Sequence, residues 1–161
     1  SALFVSGSQK PVSGTCITVT VEGRRALIAE IQALVVKTNS PQPRRVTNGV
    51  DQSRVAMLLA VLERRAGISL IDKDVYVSTV GGMKITEPAA DLAIAIAIAS
   101  AVRDKPVLPK IAAFGEISLA GEIRSVSNQK QRESEAIRLG KTKIIDGGSA
   151  QLKAALADAL G

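Results

Sequence analysis

The groups best placed to do chemistry lie in Val80–Ile98, VGGMKITEPAADLAIAIAI. There Lys84, Thr86, Glu87 and Asp91 gather where a strand-like segment turns at Gly81-Gly82 and a helix opens at Pro88. Proline suits a first helical turn because its missing N–H has no partner to lose there, and acids beside it complement the positive end of the helix dipole. Such a junction often presents a reactive side chain or binds an anion. Composition narrows the choice. With no histidine in 161 residues, Ser-His and Cys-His catalysis and the common His-based metal sites are excluded. The single cysteine, Cys16, can build neither an intrachain disulfide nor a Cys-cluster zinc site, and its place in the alternating TCITVTV predicts a buried thiol. Without His or Cys companions, Glu87 and Asp91 read as helix-start acids rather than metal ligands. The phosphate-binding patterns GxxxxGK[ST] and GxGxxG are both absent, and Gly81-Gly82-Met83-Lys84 is too short to replace them. The simple nucleophilic scheme left is a hydroxyl with a lysine of depressed pKa that takes its proton.

The elements that must position these residues can be read from periodicity and turn chemistry. An extended segment is expected at Ser1–Ser6, and Thr15–Glu22 and Arg25–Val36 read as two strands of a hairpin joined at Gly23. Lys37–Arg45, KTNSPQPRR, is a basic loop with two prolines. Asn48 or Asp51 caps a helix in which Val50, Val55, Leu58, Leu59 and Leu62 recur at helical spacing, closing at Arg64-Arg65-Ala66-Gly67. Strand Asp74–Val80 leads to the central helix Ala89–Val102, whose many alanines let neighbouring backbones come close. Then follow strand Ile111–Ile117, short strand Ile123–Val126, a helix capped by Ser127 or Asn128 and closed by Leu139-Gly140, strand Lys143–Asp146 and helix Ala150–Leu160. The expectation is one α/β domain over residues 1–161, with a sheet of mixed strand direction packed by helices. Its start without an initiator Met suggests a piece of a longer protein.

Charge points to a partner class. Lys+Arg 21 against Asp+Glu 15 gives +6, with basic pairs at Arg24-Arg25, Arg44-Arg45 and Arg64-Arg65. A positive balance favours a polyanion, and with only Phe4, Tyr76 and Phe114 as aromatics, contact with nucleic acid would go mainly to phosphate rather than to stacked bases. Arg25, Lys84 and Arg124 each follow a glycine turn that a bulky backbone could approach, and they are the first-rank candidates. Arg44 and Arg45, on the irregular loop, and Arg54 form the second rank, whereas Arg64 and Arg65 fit better as helix C-terminal cations. The most apolar run, Leu92–Val102, is too short to span a bilayer, so a cytoplasmic location without membrane attachment is expected.

Two stretches carry a resemblance. ITEPAADLAIAIAIAS followed by FGEISLAGEIRSVSNQKQRESEAIRLG resembles, in order and spacing, the core of the Lon-type protease domain. In that domain a Pro-Ser-Ala-Gly helix start carries the serine and a GEI-x-L-x-G segment, matched by Gly115–Gly121, leads to the lysine. On this resemblance the serine position falls on Ala89, the following glycine on Asp91 and the lysine on Lys130. A methyl group would stand where the nucleophile stood, and a carboxylate at Asp91 would oppose a developing oxyanion. The segments Glu30–Val35, Pro43–Gly67, DVYVSTVGGMKITEPAADLAIA and FGEISLAGEIRSV together are similar to the C-terminal Lon-like domain of the bacterial DNA-repair family RadA/Sms. That resemblance implies a Lon-protease-like, ribosomal protein S5 domain 2-like fold without peptidase activity or a cofactor of its own. It implies a DNA-binding, homo-oligomeric module, with a hexameric ring as the expected assembly, in a recombination factor that promotes branch migration. The parent's zinc finger and RecA-like ATPase, with their Zn, Mg and ATP, would lie outside this sequence. The alternative expectations are a Ser/Thr-Lys peptidase of Lon type, using for instance Thr86 or Ser127 with Lys130, and a purely structural ring scaffold.

Overall fold

The structure, a computed structural model, describes residues 10–149 and 151–161. The extended segment expected at Ser1–Ser6 lies outside the described residues. The alternating apolar pattern of TCITVTV forms β1 (Thr15–Glu22), which turns at Gly23-Arg24 into the thirteen-residue β2 (Arg25–Lys37). The pair is antiparallel, from Thr15 opposite Gln32 to Glu22 opposite Arg25. β3 (Arg45–Asn48) and β4 (Lys73–Thr79) extend the sheet on one side, β5 (Ile111–Ala113) and β8 (Lys143–Ile145) on the other. The strand order is β3-β4-β2-β1-β5-β8. Neighbours β3/β4, β1/β5 and β5/β8 are parallel, whereas β2 runs antiparallel to both β1 and β4. The α/β class and mixed strand direction expected from the sequence are both present.

One face of the sheet carries α1 (Gln52–Ala66), α2 (Asp91–Arg103) and α4 (Leu152–Leu160), with the larger apolar core between. The other carries α3 (Gln129–Arg138) over β1 and β2, with its Ala136 packed in one cluster with Ile17, Val19, Ile28, Ala112 and Phe114. Beyond α3, no helix among the described residues covers that second face. Leu34, Tyr76 and Val46 stand in register across β2, β4 and β3, with Leu34 and Val46 exposed. α2 is buried from Asp91 to Ser100, so its alanines do what short side chains allow, letting it lie close between the sheet and its flanking helices. Of the two proposed caps for α1, Asp51 acts, accepting from the Arg54 N–H at 3.0 Å, and Gly67 closes the helix in a left-handed conformation.

Three local expectations are corrected. Lys37–Arg45 is not loop throughout, because Arg45 opens β3, whose four residues pair only with distant β4. Ile111–Ile117 is not one strand. At Gly115 the chain leaves the sheet, donating to the Ala89 carbonyl (2.9 Å) and accepting from the Leu92 N–H (3.1 Å), so β6 (Glu116–Ile117) pairs instead with β7 (Ile123–Arg124). Asn128 precedes α3 with φ 59 and its side chain caps nothing, while its carbonyl accepts from Arg132 N–H.

Candidate nucleic-acid interface

The expected helix start is a short 3-10 turn, Pro88–Ala90, that feeds α2. Its flanking acids were expected to serve the helix dipole, yet each makes an ion pair with another helix. Glu87 faces Arg132 of α3 with two parallel contacts, at 2.6 Å (Nη1–Oε1) and 3.1 Å (Nη2–Oε2). The same carboxylate accepts from the Val21 N–H and the Thr20 hydroxyl of β1, both at 3.2 Å. Arg132 is only 1% exposed, and its remaining donations go to the carbonyls of Val19 and Ser127, each at 2.8 Å. A buried guanidinium is tolerated only when its donors are filled in this way.

Asp91, 2% exposed, is paired with Arg54 of α1 through the guanidinium Nε and Nη2 and accepts the Ile117 N–H at 3.1 Å. Burial pushes its carboxyl above the usual range, against the pull of the Arg54 and Ile117 hydrogen bonds, while Asp91 in turn holds Arg54 more firmly protonated. One side of the turn is therefore fastened to α3 and β1, the other to α1 and β6. Ala89 lies between them, buried, with its carbonyl taken by the Gly115 N–H. Lys130, in the first turn of α3, is exposed.

The six cations singled out from the sequence fall into three groups. Arg25, at the head of β2, Lys84, on the approach to the Pro88 turn, and Arg124, on β7, are all exposed, and none has an ion-pair partner among the described residues. The β1–β2 and β6–β7 hairpins that carry Arg25 and Arg124 adjoin the Pro88 turn through β1 and β6, and Lys84 runs into it. Arg24 belongs with them, since its carbonyl accepts from Gln131 Nε2 at 2.6 Å and brings the hairpin tip beside Lys130. Arg54 is partly exposed but committed to Asp91.

Arg44 and Arg45 lie elsewhere. Arg45 pairs in register with Val75, which pairs with Val35, ten residues along β2 from Arg25, or about 33 Å at strand rise. The Arg45 guanidinium donates to the carbonyls of Arg44, Lys73 and Leu70, tying the start of β3 to the α1–β4 connection and the start of β4. Arg44 is exposed, with its N–H donating to Asp74.

Sequence reasoning missed the Glu87–Arg132 pair, although a signal for it existed. Arg132, Glu135, Ala136 and Leu139 stand at i, i+3, i+4 and i+7, which places Arg132 on the buried stripe of α3. At the Gly81-Gly82 turn both residues have positive φ (76 and 71), and a Cβ on Gly82 would meet no described atom within 4 Å.

A family model described as subunit ChlI of Mg-chelatase matches residues 50–146. The DNA repair protein RadA of Mycobacterium tuberculosis (strain ATCC 25618 / H37Rv) is 48% identical over 142 residues, 88% of this chain and 30% of the relative. RadA of Escherichia coli (strain K12) is 46% identical over 145 residues, 90% of this chain and 32% of the relative. RadA of Streptococcus pyogenes serotype M3 (strain MGAS315) is 45% identical over 144 residues, covering 89% and 32%. The chain thus spans about a third of the length of the curated relatives it matches. With the family model covering more than half of its residues, the chain belongs to the family described as subunit ChlI of Mg-chelatase, and it is homologous over most of its length to the bacterial DNA repair proteins RadA.

Proposed function

We propose that this chain is a non-proteolytic DNA-binding module of a RadA-type DNA-repair factor, holding DNA by its phosphates without reading sequence. The observation that carries the reading is the placement of Arg25, Lys84 and Arg124, exposed and without acidic partners among the described residues, on segments gathered about the Pro88–Ala90 turn. Cations that face solvent in a group, rather than neutralised in pairs, suit a repeating anion whose counterions they displace. Arg24 and Lys130 extend the group. Arg54 and Arg45 contribute less, since their guanidinium groups already serve protein partners.

The same turn supports the non-proteolytic part. A serine-type attack needs a hydroxyl at the helix start and donors for the oxyanion; this chain has the Ala89 methyl there and the Asp91 carboxylate within a turn of it. In this reading the module needs no cofactor of its own, assembles with further copies of itself, and serves strand exchange and branch migration in a longer parent that supplies the ATPase.

The test is DNA binding by the whole chain, followed by fluorescence anisotropy over a salt series on a labelled mixed-sequence duplex and its single strand. Arg25→Ala, Lys84→Ala and Arg124→Ala are each expected to weaken binding alike on unrelated sequences and to lower the slope of log K against log salt by about 1. Arg44→Ala, at the far end of β2, is expected to change it least. Unaltered binding by all three first-rank variants would overturn the assignment.

A further inference from the structure

We propose that Arg132, acting through Glu87, is the positioning residue of the phosphate surface, holding its cations as one rigid array. This rests on the DNA-binding reading above and adds to it a residue that touches no DNA. The cations sit on separate pieces of chain: Arg24 and Arg25 on the hairpin turn, Lys84 before the Pro88 turn and Lys130 on α3. Exposed lysines and arginines on separate segments would each be ordered at a separate entropic cost on binding a phosphate backbone. The buried Arg132 removes that independence. It donates to Val19 O of β1, to Ser127 O just before α3 and to both oxygens of Glu87, three residues after Lys84. Glu87 then reaches back to the Val21 N–H, at the end of β1 next to the hairpin turn. Gln131, beside Arg132, adds the bond to Arg24 O. A planar fork with its donors filled by rigid backbone and one carboxylate is a geometry that lysine cannot reproduce.

The proposal makes a prediction opposite in sign to simple electrostatics. Glu87→Gln removes an acid and raises the net charge, so a surface acting only as a positive field would bind DNA more tightly. A positioned array instead binds more weakly, roughly tenfold, with a salt slope shallower by 1 or more although no DNA-facing cation has been removed. Binding is measured on the full chain with the same labelled duplex and single strand, well below the melting transition of each variant. The loss caused by Arg25→Ala is expected to shrink to less than about twofold in the Glu87→Gln background, because the contact is no longer held in register. Arg132→Lys should behave as Glu87→Gln does. Should these variants not fold, Gln131→Ala, which cuts only the bond to Arg24 O, is expected to weaken binding in the same direction by a smaller factor. Equal or tighter binding by folded Glu87→Gln, with Arg25→Ala still weakened, overturns the positioning role and leaves the phosphate reading standing. If Arg25→Ala, Lys84→Ala and Arg124→Ala are all without effect, the phosphate reading falls and the positioning role with it.

Discussion

Cys16 shows how one side chain's chemistry is set by its place in the sheet. It is 3% exposed among apolar neighbours, and burial pushes its thiol from 9.0 up to about 12. In the unfolded chain the thiol ionises near 9.0, so between there and about 12 the folded state keeps a proton that the unfolded state loses. The stabilisation is therefore whole below pH 9.0 and lost as pH rises toward about 12. Urea unfolding across this range should show declining stability, with a shallower decline in Cys16→Ala. Alkylation of the native protein at mildly alkaline pH should be as slow as global unfolding, because the thiolate and not the thiol reacts. Rapid modification of the folded chain would contradict the burial argument.

At the scale of elements, two glycines flank the segment carrying Lys84 and do different work. Gly49, in the connection from β3 to α1, has φ 87, and a Cβ there would stand 2.2 Å from Thr79 Oγ1 and 2.5 Å from the Met83 carbonyl. The Gly49 carbonyl accepts from the Ile85 N–H at 2.8 Å, so this close approach fixes the path of the chain between β4 and the Pro88 turn. Gly82 has a similar φ of 71 but open space around it. Gly49→Ala should therefore lower stability by about 3 kcal/mol or more, combining backbone strain with overpacking against main chain. Gly82→Ala should cost about 1 kcal/mol, the backbone strain alone. Chemical denaturation of the two variants checks the contrast, and equal losses would refute it.

For the whole molecule, the two ion pairs beside the Pro88 turn join parts that the sheet alone does not connect. Asp91–Arg54 links α2 to α1 and, through the Ile117 N–H, to the β6–β7 hairpin that carries Arg124. Truncating the arginine leaves a buried carboxylate without its cation, so Arg54→Met is expected to destabilise the chain by about 3 kcal/mol. The double variant Arg54→Met with Asp91→Leu should recover part of that loss, because the penalty lies chiefly in the stranded charge. Arg138→Ala is the comparison, removing a pair to Glu135 in which the arginine side chain is 73% exposed, and it should change stability by well under 1 kcal/mol. Urea midpoints of the three variants decide it.

Local pattern and turn chemistry determined much of this protein. The β1–β2 hairpin, α1 with its Asp51 cap and Gly67 stop, the alanine-rich α2 and the mixed α/β class all follow from periodicity, because each is fixed by neighbours in the chain. The sequence also determined the inert methyl of Ala89, the absence of histidine and the surplus of cations. Tertiary structure alone decided which cations are free and which are spoken for. It sent Arg54 to Asp91, Arg45 to three carbonyls and Arg132 to Glu87, while leaving Arg25, Lys84 and Arg124 exposed. Apart from the adjacent Arg44 carbonyl, those partners lie 25 to 45 residues away in the chain, and a guanidinium's environment depends on what the fold brings opposite it, which no local spacing encodes.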